Sequence, residues 1–249
     1  MIIIVMLVWL YFKYQIAETK KKEQKKAKIS KQIAELEMKA LLAQMNPHFT
    51  FNAINSIQNY ILDNDVDKAL SYLSDFSKII RQTLENASKE FITLEEEIEY
   101  IKRYLSLEQM RFDEQFSQKI KIDPEINLET TQIPPMILQP YIENAIKHGL
   151  RHKKAKGKLV LRFSIINSNA LLCTIEDNGI GRTASEMINK IIQKDHNGAG
   201  MAITKNRIKK LKEVNKSDLY NVEIIDLIAP NQNSIGTRVE IYLPLIQSF

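Results

Sequence analysis

Hydrophobic residues recur at helical spacing between residues 46 and 112. Two stripes of apolar residues are separated by the polar break Asp63-Asn64-Asp65, and the second ends at Asn86-Ala87-Ser88. The first stripe consists of Ile54, Ile57, Ile61 and Leu62, and the second of Ala69, Leu70, Leu73, Phe76, Ile79, Ile80 and Leu84. Repeats of three and four positions place one apolar face on each of two amphipathic helices.

A third helix is predicted to begin at Thr93. The run Thr93-Leu94-Glu95-Glu96 has the form of a capping box, in which the threonine oxygen accepts from a free amide and Glu96 reaches back. The apolar positions that follow are Ile98, Ile101, Leu105 and Met110. Long helices joined by short turns predict a helical bundle over residues 46–114.

Strand patterns dominate from residue 115 onward. Strands are predicted at 119–122, 158–166, 170–176, 222–228 and 237–243. Turn residues join two of the pairs, at Asn167-Ser168-Asn169 and at Pro230-Asn231-Gln232-Asn233. Helical patterns lie between the strands, at 135–149 and 202–213. This order predicts an α+β fold over residues 115–249, in which helices cover one face of a mixed sheet.

Residues 1–12 are uninterrupted apolar sequence that ends in aromatic side chains. As a helix this run rises only about 18 Å, whereas the hydrocarbon core of a bilayer is roughly 30 Å thick. Residues 1–14 are therefore interpreted as the end of a transmembrane helix that begins upstream, as a short membrane anchor, or as an uncleaved export signal. The last is disfavoured because no basic residue precedes the run. Lysines follow it directly, which predicts that the rest of the chain is cytoplasmic.

Residues 15–45 contain no proline or glycine, and Ile29, Ile33, Leu36 and Ala40 recur at intervals of four and three. The spacing predicts a helical coiled-coil stalk, paired in a homodimer.

The positive charge of the chain is concentrated next to the apolar segment. Residues 13–31 hold eight lysines and two glutamates, a local charge of +6, while the whole chain has +5. A short basic run in this place fits anionic lipid headgroups, and direct binding of nucleic acid is not expected. The single cysteine, Cys173, cannot form an internal disulfide, which is consistent with a reducing compartment.

Three motifs in the second half of the chain have the chemistry of a nucleotide site. Asp177-Asn178-Gly179-Ile180-Gly181 ends a predicted strand, so its glycines let the backbone pass close to a flat ring while the aspartate accepts from an adenine amino group. Gly198-Ala199-Gly200 precedes a helix, which suits phosphate binding. Asn144 carries a neutral oxygen able to ligate Mg²⁺, with Lys147 and His148 on the same helical face. Each motif alone also occurs in ordinary turns and on helix surfaces.

In this order and spacing the motifs resemble the N, G1 and G2 boxes of the GHKL ATPase superfamily, which includes gyrase B, Hsp90, MutL and the histidine kinases. The resemblance implies a Bergerat-type α/β sandwich at 115–249 that binds ATP and Mg²⁺. It implies that Asn144 coordinates Mg²⁺, that Asp177 recognises adenine, and that residues 182–197 form a lid. The cofactor-binding residues that it implies are Asn144, Lys147, His148, Asp177, Gly179, Gly181, Gly198, Gly200 and Thr237.

The helical half contains a candidate phosphoacceptor. Asn46-Pro47-His48-Phe49-Thr50-Phe51-Asn52 resembles the phosphoacceptor box of LytS/YehU-type sensor histidine kinases, and the likeness extends from about Leu41 to Pro244. A neutral imidazole at His48 is available near neutral pH to attack a γ-phosphate. Asn52 lies one helical turn later and is placed to orient the imidazole or a water. The candidate catalytic residues are His48, Asn52 and Glu143.

Pro140 departs from the pattern of the hydrolytic members of the superfamily. Those proteins carry a glutamate four residues before the magnesium asparagine, as the base that activates water, whereas here Glu143 directly precedes Asn144. Because proline cannot abstract a proton, direct ATP hydrolysis is disfavoured. Glu143 is a candidate to support the metal or His48 during transfer.

The sequence therefore predicts a membrane-tethered, homodimeric sensor histidine kinase whose catalytic region lies in the cytoplasm. It would phosphorylate itself on His48 and pass the phosphoryl group to an aspartate of a response regulator, which by the resemblance carries a LytTR DNA-binding domain. One alternative is a catalytically inactive, membrane-tethered dimeric scaffold that binds nucleotide or relays conformation. Another is a GHKL ATPase, which Pro140 disfavours.

Overall fold

The structure is a computed structural model of the 249-residue chain. It describes residues 47–112, 114–153, 155–166, 169–191, 219–230 and 234–247, together with isolated helical positions at 6, 9, 13, 18, 20, 204, 206, 208, 209 and 211–213. The chain divides into two compact units, residues 1–51 and 52–249. Most of the predicted membrane segment at 1–14 and all but two residues of the predicted stalk at 15–45 lie outside the described residues, so both stay predictions.

Within the described part of the chain, no helix has the length and apolar character needed to cross a bilayer. In the first unit, the Lys13 ammonium lies 4.7 Å from the centroid of the Trp9 ring, in a cation–π contact.

The three predicted helices of the first half are present. They are α1 (Pro47–Leu62), α2 (Val66–Ala87) and α3 (Leu94–Arg111). Asn64 ends α1 with a φ of 58°, a left-handed conformation that asparagine tolerates better than most residues. Asp65 then caps α2, because its carboxylate accepts the Lys68 backbone N–H at 3.2 Å. The polar break between the two apolar stripes is therefore both a stop signal and a start signal.

The predicted capping box at the start of α3 is confirmed. Thr93 Oγ1 accepts from the Glu96 backbone N–H at 3.1 Å, and Glu96 Oε2 accepts from the Thr93 backbone N–H at 3.0 Å. Nearly every turn of α3 is buried, through Leu94, Glu97, Ile98, Tyr100, Ile101, Tyr104, Leu105, Leu107 and Glu108. This helix is therefore part of the core rather than an exposed strut.

A five-stranded mixed sheet follows, as predicted. Its strands are β2 (Phe116–Ile122), β4 (Gly157–Ile166), β5 (Ala170–Asp177), β6 (Asn221–Ile228) and β7 (Ser234–Pro244), in the order β2-β4-β5-β7-β6. The β2–β4 pair is parallel and the other three pairs are antiparallel. Apolar residues of β4, β5 and β7 are buried, whereas no residue of the edge strand β6 is buried.

A second, three-stranded sheet was not predicted. It consists of β1 (Ile92–Thr93), β3 (Thr131–Ile133) and β8 (Ile246–Gln247), in the order β1-β3-β8. Strands of two or three residues are too short to show the alternation by which a strand is recognised.

The helix predicted at 135–149 begins four residues later, as α4 (Gln139–Asn144), and continues as a π-helical turn at Ala145–Leu150. Its start is delayed because Met136 adopts a φ of 56°, which is not helical. Within the predicted lid, Arg182–Ile191 forms helix α5. The described positions of the helix predicted at 202–213 are helical.

Thr93→Ala is expected to lower the free energy of unfolding by about 1 kcal/mol, because it leaves the Glu96 amide at the start of a buried helix without its acceptor. Chemical denaturation followed by circular dichroism measures the change. Thr93→Ser keeps the hydroxyl and is expected to retain most of the stability. Equal stability of the alanine variant and the unchanged protein would contradict the role assigned to the cap.

Candidate nucleotide-binding site

The carboxylate of Asp177 lies buried at the end of β5, with only 4% of the residue exposed. Its Oδ1 accepts the backbone N–H of Gly179 at 2.7 Å. Burial raises the pKa of Asp177 to about 6, against the lowering effect of backbone hydrogen bonds from Gly179 and Thr237 and of the Lys153 charge. The group is therefore a buried acceptor, mostly ionised at neutral pH, that can accept a hydrogen bond from an amino group.

Gly149 packs directly against this carboxylate. A Cβ on Gly149 would lie 2.7 Å from Asp177 Oδ1, and a Cβ on Gly179 would lie 2.4 Å from the Gly149 backbone. The Ile180 N–H also donates to the Gly149 carbonyl at 3.2 Å. The π-helical turn and the loop after β5 thus meet backbone to backbone, a contact that only glycine allows.

Strand β7 closes the other side of the site. Thr237 lies opposite Asp177 in the antiparallel register of β5 and β7. Its neighbour Gly236 has a φ of 145°, and a Cβ there would lie 1.9 Å from the Asp177 carbonyl oxygen. Gly181 has a φ of 77°, and a Cβ on it would meet Ser234 Oγ at 1.7 Å. The structure therefore brings together Asp177, Gly179, Gly181 and Thr237, as the motif order suggested.

The sequence pattern did not single out Gly149 or Gly236 as site residues, although each is next to a residue that it did single out, His148 and Thr237 respectively. Gly149 could have been found from its position directly after His148, at the end of the predicted helix. Its importance depends on a contact with Asp177, which is distant in the chain.

Asn144 is the last residue of α4, and Lys147 and His148 lie in the π-helical turn that leads to Gly149. Among the described residues, nothing is hydrogen-bonded to the Asn144 side chain, which is half-buried. π-Helical turns are rare and are found frequently at functional sites. The turn connects the amide-bearing helix to the loop that holds Asp177.

The three candidate catalytic residues, Glu143, His48 and Asn52, lie on helices α4 and α1. Glu143 Oε1 accepts from Gln139 Nε2 at 2.8 Å, one turn earlier on α4. His48 lies in α1, and nothing is described of its side chain; Asn52 is half-buried on the same helix. Gly198 and Gly200 lie outside the described residues.

The residues fit a bound ATP with Mg²⁺. Within the described residues, no group of three His, Cys, Asp or Glu side chains can hold a metal ion alone. A magnesium ion held by one amide oxygen together with phosphate oxygens needs no such group, and the Asn144 amide offers that oxygen. The buried acceptor at Asp177 supplies the complementary site for an adenine amino group.

The fold and the site together define the ATP-binding domain of a histidine kinase of the GHKL type. Two family models match the chain: "Histidine kinase" at residues 36–116, and "Histidine kinase-, DNA gyrase B-, and HSP90-like ATPase" at residues 134–247. The first range includes His48, and the second includes Asn144 and Asp177.

Similar proteins include the sensor protein LytS of Bacillus cereus, 35% identical over 176 residues, which are 70% of this chain and 29% of that protein. The LytS of Enterococcus faecalis is 32% identical over 222 residues, 88% of this chain and 36% of that protein. Over most of its length the chain is therefore similar to LytS-type sensor histidine kinases. It spans about a third of the length of these relatives.

Among solved structures, the mycobacterial sensor histidine kinase MprB matches with a TM-score of 0.44 and 18% identity, over 64% of this chain and 99% of that one. Histidine kinase ThkA, solved in complex with response regulator protein TrrA, matches with a TM-score of 0.39 and 16% identity, over 84% of this chain and 61% of that one. Likeness at this level carries no argument on its own.

The pH dependence of nucleotide binding is expected to report Asp177. Affinity for a fluorescent ATP analogue should fall as pH drops through about 6, where the carboxyl takes up its proton. Asp177→Asn should bind at least about tenfold more weakly and lose this pH dependence, because the charged acceptor is gone. Asp123→Asn, on a loop far along the chain from the motifs, is the matched control and should bind normally. A pH profile that survives in Asp177→Asn would contradict the assignment.

The free energy of unfolding should change with pH in the direction opposite to that of nucleotide affinity. Because Asp177 holds its proton more tightly in the folded protein than in the unfolded chain, the free energy of unfolding should fall as pH rises from 3.8 to about 6. Asp177→Asn should remove up to about 3 kcal/mol of this decline, as measured by denaturation at several pH values.

Proposed function

We propose that the protein is the kinase core of a two-component sensor, which phosphorylates itself on His48 from ATP. The observation that carries the proposal is the buried Asp177 carboxylate, backed by Gly149 at the end of the helix that bears Asn144. A site built for adenine and phosphate stands in the same chain as a segment that matches the histidine kinase model and contains His48.

The chain's own residues supply binding, orientation and the nucleophile. Asp177 accepts from the adenine amino group, and the Asn144 amide would hold Mg²⁺, which when bound neutralises charge on the phosphates. One imidazole nitrogen of His48, neutral at physiological pH, attacks the γ-phosphorus as the bond to the ADP oxygen breaks. The phosphoryl group then passes from the imidazole to a carboxylate of a response regulator. We infer a regulator of the LytTR type from the family resemblance alone.

Pro140 supports transfer to histidine over hydrolysis. It lies in the first turn of α4, where a missing backbone N–H costs little. A side chain with no ionisable group cannot activate a water at this position. An imidazole with a free lone pair needs no such base.

The helical region supports a homodimer. Seven apolar residues of α1 and α2 are between 45% and 77% exposed in the single chain: Phe51, Ile54, Ile61, Leu62, Val66, Leu70 and Leu73. Exposed apolar residues gathered on two consecutive helices are typical of an interface, because burying them between two copies removes them from water. We further propose that the apolar run at 1–14 tethers the protein to the cytoplasmic membrane, with the catalytic region in the cytoplasm.

Incubation with γ-labelled ATP tests the kinase assignment. Acid-labile, alkali-stable label is expected on the unchanged protein, and none on His48→Ala, because the nucleophile is absent. His152→Ala is the matched control and should label normally. Label that persists in His48→Ala would place the phosphoacceptor elsewhere, and nucleotide binding with no label on any variant would favour the inactive scaffold.

Asn144→Ala tests the metal assignment. We expect labelling to fall by at least about a hundredfold because the metal loses its protein ligand, while binding of the ATP analogue in EDTA is retained. Normal labelling by Asn144→Ala would remove Asn144 from the metal site.

Leu70→Asp tests the dimer. A carboxylate in a buried interface is strongly unfavourable, so the variant should have half the molar mass of the unchanged protein in light scattering. Ile228→Asp, at a residue that is 62% exposed on β6, is the matched control and should leave the mass unchanged. A dimer that tolerates Leu70→Asp would exclude this residue from the interface.

A further inference from the structure

A series of partly buried hydrogen bonds joins α3 to α4, the helix that carries Asn144. The Tyr100 hydroxyl donates to Gln139 Oε1 at 2.9 Å, and Gln139 Nε2 donates to Glu143 Oε1 at 2.8 Å. Thr83 Oγ1, on α2, lies 3.2 Å from the Tyr100 hydroxyl oxygen. The series reaches Glu143, which directly precedes Asn144.

A second contact holds the segment that leads into α4. Glu97, fully buried one turn before Tyr100 on α3, accepts the Met136 backbone N–H on Oε2 at 3.1 Å. Met136 has a φ of 56°, which a residue with a long side chain rarely adopts without support. Two side chains on one face of α3 therefore hold α4, one at its entry and one in its first turn.

The direction of each hydrogen bond is determined by the groups present. Glu143 is a carboxylate acceptor, so the Gln139 amide must turn its N–H₂ toward Glu143 and its oxygen toward Tyr100. Burial raises the pKa of Tyr100 well above its ordinary value, so the hydroxyl keeps its proton and stays a donor. In the hydrogen bonds from Tyr100 to Gln139 and from Gln139 to Glu143, the donor and the acceptor are therefore both defined.

We propose that Tyr100 and Gln139 are positioning residues for the metal-binding amide: the hydrogen-bond chain from α3 sets the orientation in which α4 presents Asn144 to the magnesium–nucleotide complex. This inference rests on the proposed function, because it presumes that ATP and Mg²⁺ bind at Asn144. It also gives Glu143 a structural role, as the acceptor of the Gln139 side-chain N–H. Such a role differs from direct support of the metal or of His48.

The test is a Mg²⁺ titration of the binding of a fluorescent ATP analogue to the purified full chain. Tyr100→Phe keeps the ring and removes only the hydroxyl that donates to Gln139. The Mg²⁺ concentration for half-maximal binding should rise about fivefold, as expected for one lost hydrogen bond, while binding in EDTA stays unchanged. Tyr242→Phe, which removes a hydroxyl that donates to Glu240 Oε2 at 2.8 Å on β7, is the matched control and should titrate normally.

A double variant separates positioning from general destabilisation. Gln139→Met removes the amide that joins Tyr100 to Glu143 and keeps a side chain of similar length. The double variant Tyr100→Phe/Gln139→Met should shift the Mg²⁺ midpoint no further than Gln139→Met alone. A Tyr100→Phe protein with a normal Mg²⁺ midpoint would overturn the inference. The inference would also be overturned if Tyr100→Phe weakened nucleotide binding equally with Mg²⁺ and in EDTA. That result would indicate a structural role only.

The same titration distinguishes failure of this inference from failure of the proposed function. If the unchanged protein shows no Mg²⁺-dependent nucleotide binding, both are wrong. If it binds normally and forms no phosphohistidine, the kinase proposal fails, and a shifted midpoint in Tyr100→Phe still supports the positioning role.

Discussion

The burial of one carboxylate organises the site. Asp177 stands at the end of β5 with three backbone segments packed around it: the turn ending at Gly149, the loop through Gly179, and β7 at Gly236. A Cβ would meet the carboxylate at Gly149, the Gly149 backbone at Gly179 and the Asp177 carbonyl oxygen at Gly236, so the close packing around Asp177 depends on these glycines. Burial raises the pKa of Asp177 to about 6, so at neutral pH the charge is kept at a cost in stability, a feature typical of functional sites.

Side-chain hydrogen bonds connect helix α3 to neighbouring elements. It begins at the Thr93 capping box, and its buried polar residues reach neighbouring elements: Glu97 holds Met136, and Tyr100 holds Gln139. Near its end, Glu108 pairs with Arg111 at 2.6 Å, yet burial and the nearby Glu143 charge raise the pKa of Glu108 to about 7. Desolvation therefore outweighs the attraction of the ion pair, as is common when both charges leave water.

The elements that could be predicted were those with a strong local signal. The three helices of the first half have apolar stripes, two of them begin at cap residues, and the strands β4 and β5 are long runs rich in apolar residues. The strands at Ile92–Thr93, Thr131–Ile133 and Ile246–Gln247 are too short to alternate. The late start of α4 depends on the backbone of Met136, and that conformation is held by a side chain 39 residues earlier. No local pattern contains that information.

The sequence by itself determined which chemical groups the site contains. An amide on a helix, with an aspartate and glycines after a strand, indicates a nucleotide site, because each group suits one part of a bound nucleotide. Only the tertiary structure decided how these groups are held. The contact of Gly149 with Asp177 and the hydrogen-bond chain from Tyr100 to Glu143 join residues that are far apart in the chain. Periodicity reports which face of an element is buried, whereas the partner across that face is set by the packing of the whole domain.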